Sequence, residues 1–420
     1  MTRTYDLLVR DTYLPDRDGV FDVGVRDGAF DAVEPELDDD ADVIVEADGN
    51  LLSPAFVDCH KHLDRGLAAT GGRRPAGNDE PLSRRPYVEL FDEYYQETPR
   101  DVLVDRIVEN VEMAVAAGTT RIRSHVTVDH SLGTEIIDTF LEAAERTADL
   151  VDLELVVATT AGLEESEPLV REAIETAHGE LPVFVGGHDG RRGIRERGRQ
   201  LERWFDLAVD YGVGVDVHIT ARGELGAATL EELAALADEY DYGGRVTAIH
   251  AYALAMVSDW RLREVADALE AAGVNVVTCF NSTRSSMPVQ ELHEAGVILA
   301  HGTDNDRDFV VPHGNADPLE AAQLLSLKLN YGPEVSRSTP AYRWYDTNPA
   351  LELLWELLTE QGGAALGVED YGVREGSAAD FVVFDAPSPE WAIVDRAERT
   401  YVVKDGRIVA RDGTVRPSSD

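Results

Sequence analysis

Ser53-Pro54-Ala55-Phe56-Val57-Asp58-Cys59-His60-Lys61-His62-Leu63-Asp64 reads as a short buried strand that runs out into a His-x-His pair. The apolar run Ala55 to Val57 follows Pro54, which sets the start of the strand. Successive side chains on a strand alternate faces, so His60 and His62 project together. Two imidazoles on one side at that spacing supply half of a metal site. Taken alone, such a pair is equally well two polar residues leaving a strand, and the surrounding chain decides between the readings.

Outward from this stretch, strand-like and helix-like segments alternate. Strand patterns over 54–59, 120–125, 153–159, 182–185, 214–218, 246–250, 274–279 and 297–301 are each followed by a helix pattern. The helix patterns cover 102–117, 133–148, 169–177, 193–211, 229–239, 260–271, 288–295 and 318–330. Eight such units predict an α/β fold, a (β/α)8 TIM barrel over 54–366, with its active site at the C-terminal ends of the strands. The two chain ends read differently. Tyr5-Asp6-Leu7-Leu8-Val9, Phe21-Asp22-Val23-Gly24-Val25 and Val43-Ile44-Val45 are short strand patterns, as are Asp380-Phe381-Val382-Val383-Phe384 and Tyr401-Val402-Val403-Lys404. Turn signals such as Asp27-Gly28 and Asp405-Gly406 separate them. Short strands from one end alone make a poor sheet, so 1–53 and 367–420 are predicted to form one small β-sandwich domain.

The 420 residues carry 80 acidic against 38 basic side chains, a net charge of −42. Nucleic acid and anionic membrane surfaces are polyanions, so both are excluded as partners. A small-molecule substrate remains, with assembly into a homo-oligomer left open. Lysine occurs only at 61, 328 and 404. An acidic, lysine-poor surface suits a halophilic cytosol, where salt screens most self-repulsion. Cys59 and Cys279 are the two cysteines, which implies no disulfide framework and fits a reducing cytoplasm. Residues 1–17 lack the apolar core of a signal peptide, and no apolar run approaches the roughly 20 residues of a membrane span.

Six of the eleven histidines fall at or just past predicted strand C-termini: His60, His62, His125, His218, His250 and His301. The last is followed by Gly302-Thr303-Asp304. A single histidine so placed is commonly a satisfied core residue, whereas six at one end of a barrel converge on one cavity. Three neutral imidazoles and one carboxylate can hold a divalent ion and leave a position open for water. The ion lowers the pKa of that water toward neutrality. A nearby carboxylate can take the proton and pass it to a leaving nitrogen.

The chain resembles the amidohydrolase superfamily, in particular its cytosine deaminase-like branch. The resemblance spans nearly the whole sequence. It rests on the Pro54–Asp64 opening, Arg123-Ser124-His125, His218, Ile249-His250-Ala251-Tyr252, Gly302-Thr303-Asp304-Asn305 and the closing Glu375-Gly376-Ser377-Ala378-Ala379-Asp380. It implies a metal-dependent hydrolase of C–N bonds other than peptide bonds that deaminates an amino-substituted heterocycle. The alternatives are release of an alkylamine or opening of a cyclic amide or triazine-like ring, and, outside catalysis, a metal-binding relative. It also implies His60, His62, His218 and Asp304 as metal ligands, His250 as the residue that orients water and substrate, and Asp304 as proton shuttle. Binuclear members of the superfamily bridge two metals with a carboxylated lysine at a strand end. Here Lys328 falls on a helix, Lys404 in the sandwich, and Lys61 points opposite to its histidine neighbours, so one divalent ion, Zn2+ or Fe2+, is expected.

The sequence also departs from the branch. Its deaminases carry a glutamate three residues after the strand-5 histidine, and Ala221 stands there in this chain, which argues against cytosine itself as substrate. Glu224 can substitute if its loop folds inward; otherwise it opens the next helix. Gly186-Gly187-His188-Asp189-Gly190 occupies the place of the glutamine of bacterial cytosine deaminases, and Asp308-Phe309-Val310 matches the expected aromatic weakly. His125, His188, Glu224 and Asn305 are the candidates for substrate contact. The long connection 66–98 carries Gly71-Gly72-Arg73-Arg74 and Arg84-Arg85. It reads either as a cap that attracts an anionic substrate or as a surface loop or subunit contact. Since Ala221 cannot donate a proton, Asp304 is expected to carry it from water to the leaving group while His250 holds the geometry.

Overall fold

Eight parallel strands form the central sheet, each paired with the next in chain order. They are β1 (Phe56–Lys61), β2 (Thr119–Thr127), β3 (Asp152–Thr159), β4 (Val183–His188), β5 (Gly214–His218), β6 (Val246–Ile249), β7 (Val274–Thr278) and β8 (Leu299–His301). The computed structural model describes residues 4–17, 19–69, 87–128, 133–160, 162–189, 194–279, 287–330 and 349–416. Every residue of β5, β6 and β7 is buried, as parallel strands covered on both faces require. Helices Arg100–Ala116, Glu135–Thr147, Leu163–Ala177, Ile194–Tyr211, Gly223–Glu239, Asp259–Ala271, Val289–Glu294 and Pro318–Asn330 follow the strands in turn. Their apolar stripes pack with the strands into one large core.

The sheet closes into a barrel at the candidate metal ligands. Asp304 N donates to His60 O and His62 N donates to Asp304 O, both at 2.9 Å. The two bonds make a parallel bridge between Lys61 and Asp304. A Cβ on Gly302 would lie 2.5 Å from the His60 Cβ, so glycine is needed for this approach. Lys61 is fully buried, donates to Thr303 Oγ1 at 2.8 Å and to Asp306, and lies 3.9 Å from Asp58. Thr303 in turn donates to Asp58 through both its backbone N and its hydroxyl. A buried ammonium without such partners costs several kcal/mol. The pairing therefore pins the end of β1 to the loop that carries Asp304.

Two further sheets stand beside the barrel. One runs in the order Ala29–Glu34, Gly19–Arg26, Thr4–Leu14, Asp40–Glu46; the other runs Thr414–Val415, Arg407–Arg411, Arg399–Lys404, Phe381–Phe384, Leu52–Pro54. They share a core in which Leu7, Val9, Val23 and Phe30 meet Leu52, Phe381, Val383 and Val403. This is the expected sandwich of both chain ends.

The boundaries differ in instructive places. The single strand expected at 54–59 is two: Pro54 pairs with Phe381 in the sandwich, and Phe56 opens β1. β4 runs on to His188 because Gly186 and Gly187 continue the ladder against β5. A Cβ on Gly186 would fall 1.6 Å from Asp216 O. The helices expected from 169 and 229 begin at Leu163 and Gly223. A helix over Tyr87–Glu97 forms within the 66–98 connection and buries Phe91 and Tyr94 against Ala68 and Leu103. The arginines at 73, 74, 84 and 85 lie outside the described residues. Among the described residues, no helix is long and apolar enough to cross a membrane.

Candidate active site

Strand ends deliver the candidate side chains. His60 sits in β1 and His62 just beyond it; His218 closes β5, His250 follows β6, and Asp304 lies three residues past β8. His250 and Asp304 both have left-handed backbones, with φ of 73° and 63°. That conformation costs of order 1–3 kcal/mol away from glycine and gathers at functional sites. After β6 the chain turns back through His250 and Ala251, with His250 N donating to Val277 O at 2.9 Å. The His250 ring then stacks on Tyr252, centroids 4.8 Å apart.

The donor atoms are spaced for a metal. His60 Nε2 and His62 Nε2 lie 3.4 and 3.5 Å from Asp304 Oδ1, and His218 Nε2 lies 3.4 Å from His62 Nε2. These separations are long for hydrogen bonds. They match the edges of a tetrahedron, because donors about 2.0–2.2 Å from one ion stand roughly 3.3–3.6 Å apart. His60, His218 and His250 form a further triplet, with donor atoms within 4.8 Å of one another. All five residues are buried. Both ring nitrogens of His60, and Nδ1 of His62, His218 and His250, are buried and make no hydrogen bond among the described residues. Unpartnered buried nitrogens are costly to fold around, and a divalent ion is the partner this donor set fits.

The electrostatics agree. Burial, helped by Arg65 and the neighbouring imidazoles, holds His62 well below the ordinary histidine value. Burial, with His125 and His188 close by, does the same to His218. Both therefore offer neutral lone pairs at physiological pH. Burial brings His250 down to about 4 against the opposing pull of Asp304. Burial also acts to raise the Asp304 carboxyl. Its neighbours His60, His250 and Arg65 outweigh it and hold Asp304 below the usual carboxylate range.

The remaining candidates divide. His188, the last residue of β4, stacks on His218 with centroids 4.5 Å apart. Asn305 Nδ2 donates to Asp304 Oδ1, so it steadies the candidate ligand carboxylate. His125 packs edge-on against His60 and His218, and its Nε2 is 2.8 Å from Asp216 Oδ1. With no exposed surface, His125 packs against the candidate ligand imidazoles of His60 and His218. Glu224 is a correction: it lies in the first turn of Gly223–Glu239, its side chain is 72% exposed, and it pairs with Arg261 at 3.1 Å. Arg261 also holds Glu231, which draws this turn outward. Lys61 turns into its own buried network, away from the imidazoles, as its position in β1 suggested.

Asp216 was missed, although Val215-Asp216-Val217-His218 alternates and sets it on the face of His218. It joins His125 to Arg123, which is itself bonded to Glu154 at 2.7 Å and Thr247 at 3.2 Å and lies over the Phe184 ring. Arg65, buried and 3.6 Å from Asp308, was missed as well; it directly follows the His-x-His-Leu-Asp stretch.

A family model described as "Amidohydrolase family" matches residues 113–410. N-isopropylammelide isopropyl amidohydrolase of Pseudomonas sp. (strain ADP) is 34% identical over 420 residues, covering 99% of this chain and 100% of that protein. The crystal structure of N-isopropylammelide isopropylaminohydrolase from Burkholderia multivorans superposes with a TM-score of 0.84 at 27% identity, covering 97% of this chain and 99% of that one. The fold is also that of 5-methylcytosine deaminase from Klebsiella pneumoniae liganded with 5-fluorocytosine, with a TM-score of 0.78, 23% identity and 97% of both chains covered.

Proposed function

The chain belongs to the amidohydrolase family, and from that premise we propose that it cleaves an exocyclic C–N bond of an amino-substituted nitrogen heterocycle, releasing ammonia or a small alkylamine. As a family member it is a hydrolase of carbon–nitrogen bonds other than peptide bonds. The observation that carries the finer reading is the 3.4–3.5 Å spacing among His60, His62, His218 and Asp304, with His250 beside them. These four residues would hold one divalent ion, zinc or iron. Lys61 is committed to Thr303 and Asp306, which supports a single ion over a lysine-bridged pair.

A bound divalent ion polarises water and brings its pKa toward 7. The chain supplies the rest. Asp304 Oδ1 is turned to His60, His62 and Asn305, which leaves Oδ2 to take the proton of the attacking water and return it to the departing nitrogen. The neutral His250 ring, fixed by its stack on Tyr252, orients the water and the ring carbon under attack. The ring carbon keeps the water oxygen, and the C–N bond breaks as the nitrogen gains the proton.

Ala221 is buried, and its N donates to Asp189. Its methyl group has no proton for a ring nitrogen, so the site favours substrates whose exocyclic amine is itself a fair base. The relatives named for N-isopropylammelide make an N-alkylamino-triazine the first substrate class to try. We place the enzyme in a salt-rich cytoplasm on the strength of its charge, with the barrel over 54–366 and the sandwich over 1–53 and 367–420. Purified protein in molar potassium chloride is expected to release amine from N-alkylated hydroxytriazines at least about 100-fold faster than ammonia from cytosine, well within the discrimination that an unmet hydrogen-bonding need imposes. Preference for cytosine or for a cyclic amide would overturn the substrate assignment.

A further inference from the structure

Cys279 is the first residue past β7 and is almost fully buried. Its thiol, a ring nitrogen of His250 and a carboxylate oxygen of Asp304 all lie within 4.8 Å of one another. His250 Nδ1 is buried and makes no hydrogen bond among the described residues. This cluster shares Asp304 with the His60, His62, Asp304 triplet and uses neither of that triplet's imidazoles.

We propose that His250, Cys279 and Asp304 form a second, weaker site for a thiophilic divalent cation, such as cadmium or excess zinc, and that filling it stops turnover. The donor set selects the cation. A sulfur ligand favours zinc and cadmium over magnesium and calcium, which prefer oxygen. Nitrogen, oxygen and sulfur donors around zinc stand about 3.3–3.8 Å apart at ordinary bond lengths. From separations of up to 4.8 Å, binding requires the three side chains to close in around the cation. Binding replaces the thiol hydrogen with a metal–sulfur bond and releases the proton to solvent, with no change of oxidation state. Three protein donors against four make this site weaker than the main centre, so one tightly held ion per chain remains the expectation. The inhibitory half of the proposal rests on the roles proposed above for Asp304 and His250, which the second cation would occupy; the binding half does not.

The test uses the full chain carrying its tightly held ion. Cadmium chloride is titrated while bound metal is counted by equilibrium dialysis, cadmium–thiolate absorption is followed in the ultraviolet, and turnover is measured in parallel. The wild-type protein is expected to take up a second equivalent, with the thiolate band and the loss of turnover rising over the same cadmium range. C279S and C279A are expected to keep basal turnover within about twofold, to lose the band, and to need at least tenfold more cadmium for inhibition. Using two variants guards against one that packs poorly. Absence of a second equivalent in the wild type, or unchanged inhibition in both variants, overturns the site. A band that appears without loss of turnover overturns the inhibitory half. A protein inactive on every heterocycle would count against the proposed function, while the band and its loss in C279S would still decide the binding.

Discussion

His60→Ala is expected to lose both the proposed tightly held metal and turnover. His60 lies at the middle of the donor set, with its Nε2 3.4 Å from Asp304 Oδ1 and its ring 4.7 Å from both His125 and His218. Removing the imidazole removes one of four donors and leaves the others around a gap. Loss of an outer partner of a ligand already weakens metal affinity by about 10–100-fold, so loss of a ligand is expected to exceed 100-fold. The fold should survive. The bond that closes the barrel here runs from Asp304 N to the His60 backbone oxygen, which alanine retains. Metal content by elemental analysis, turnover and far-UV circular dichroism on one preparation check the prediction. A folded variant with full activity would remove His60 from the site.

Asp304→Asn is expected to lower turnover by about 10³-fold at saturating metal, within the range for a positioned acid–base group. Asparagine keeps the size and one oxygen, but it cannot take a proton from water and give it back. Metal content must be measured, because the same side chain is proposed as a ligand. Glu224→Gln is the companion variant. Glu224 is held outward by Arg261, so its loss should change turnover by less than about tenfold, below the range for a lost general acid. Abolished turnover in Glu224→Gln with metal retained would return the acid's role to that residue.

Much of this site was legible because strand ends carry their chemistry in short words. His60-Lys61-His62, the histidine closing β5 and Gly302-Thr303-Asp304 could be placed from the alternation of apolar strands and helices, and the barrel with its terminal sandwich followed from the same pattern. What could not be read depended on distant partners. Whether Glu224 turns inward is decided by Arg261, 37 residues later. Aspartate and histidine take left-handed backbones more readily than most residues, but nothing in the sequence singles out His250 and Asp304 among the chain's other aspartates and histidines. The split of 54–59 into two strands depends on the pairing of Pro54 with Phe381, at the far end of the chain. The bond from His125 to Asp216, and from Asp216 to Arg123, joins positions scattered along the chain that no local motif links. Glycines usually end a strand pattern; Gly186 and Gly187 extend β4 where a Cβ would run into the backbone of Asp216 in β5 and of Thr159 in β3.

One ion, held by His60, His62, His218 and Asp304, is proposed to support the reaction. Metal-stripped protein titrated with zinc or iron(II), with bound metal and amine release read together, tests it most directly. Turnover is expected to rise in proportion to bound metal and to reach its maximum at one ion per chain. Maximal turnover that requires two ions per chain, or turnover that persists in the stripped protein, would contradict it.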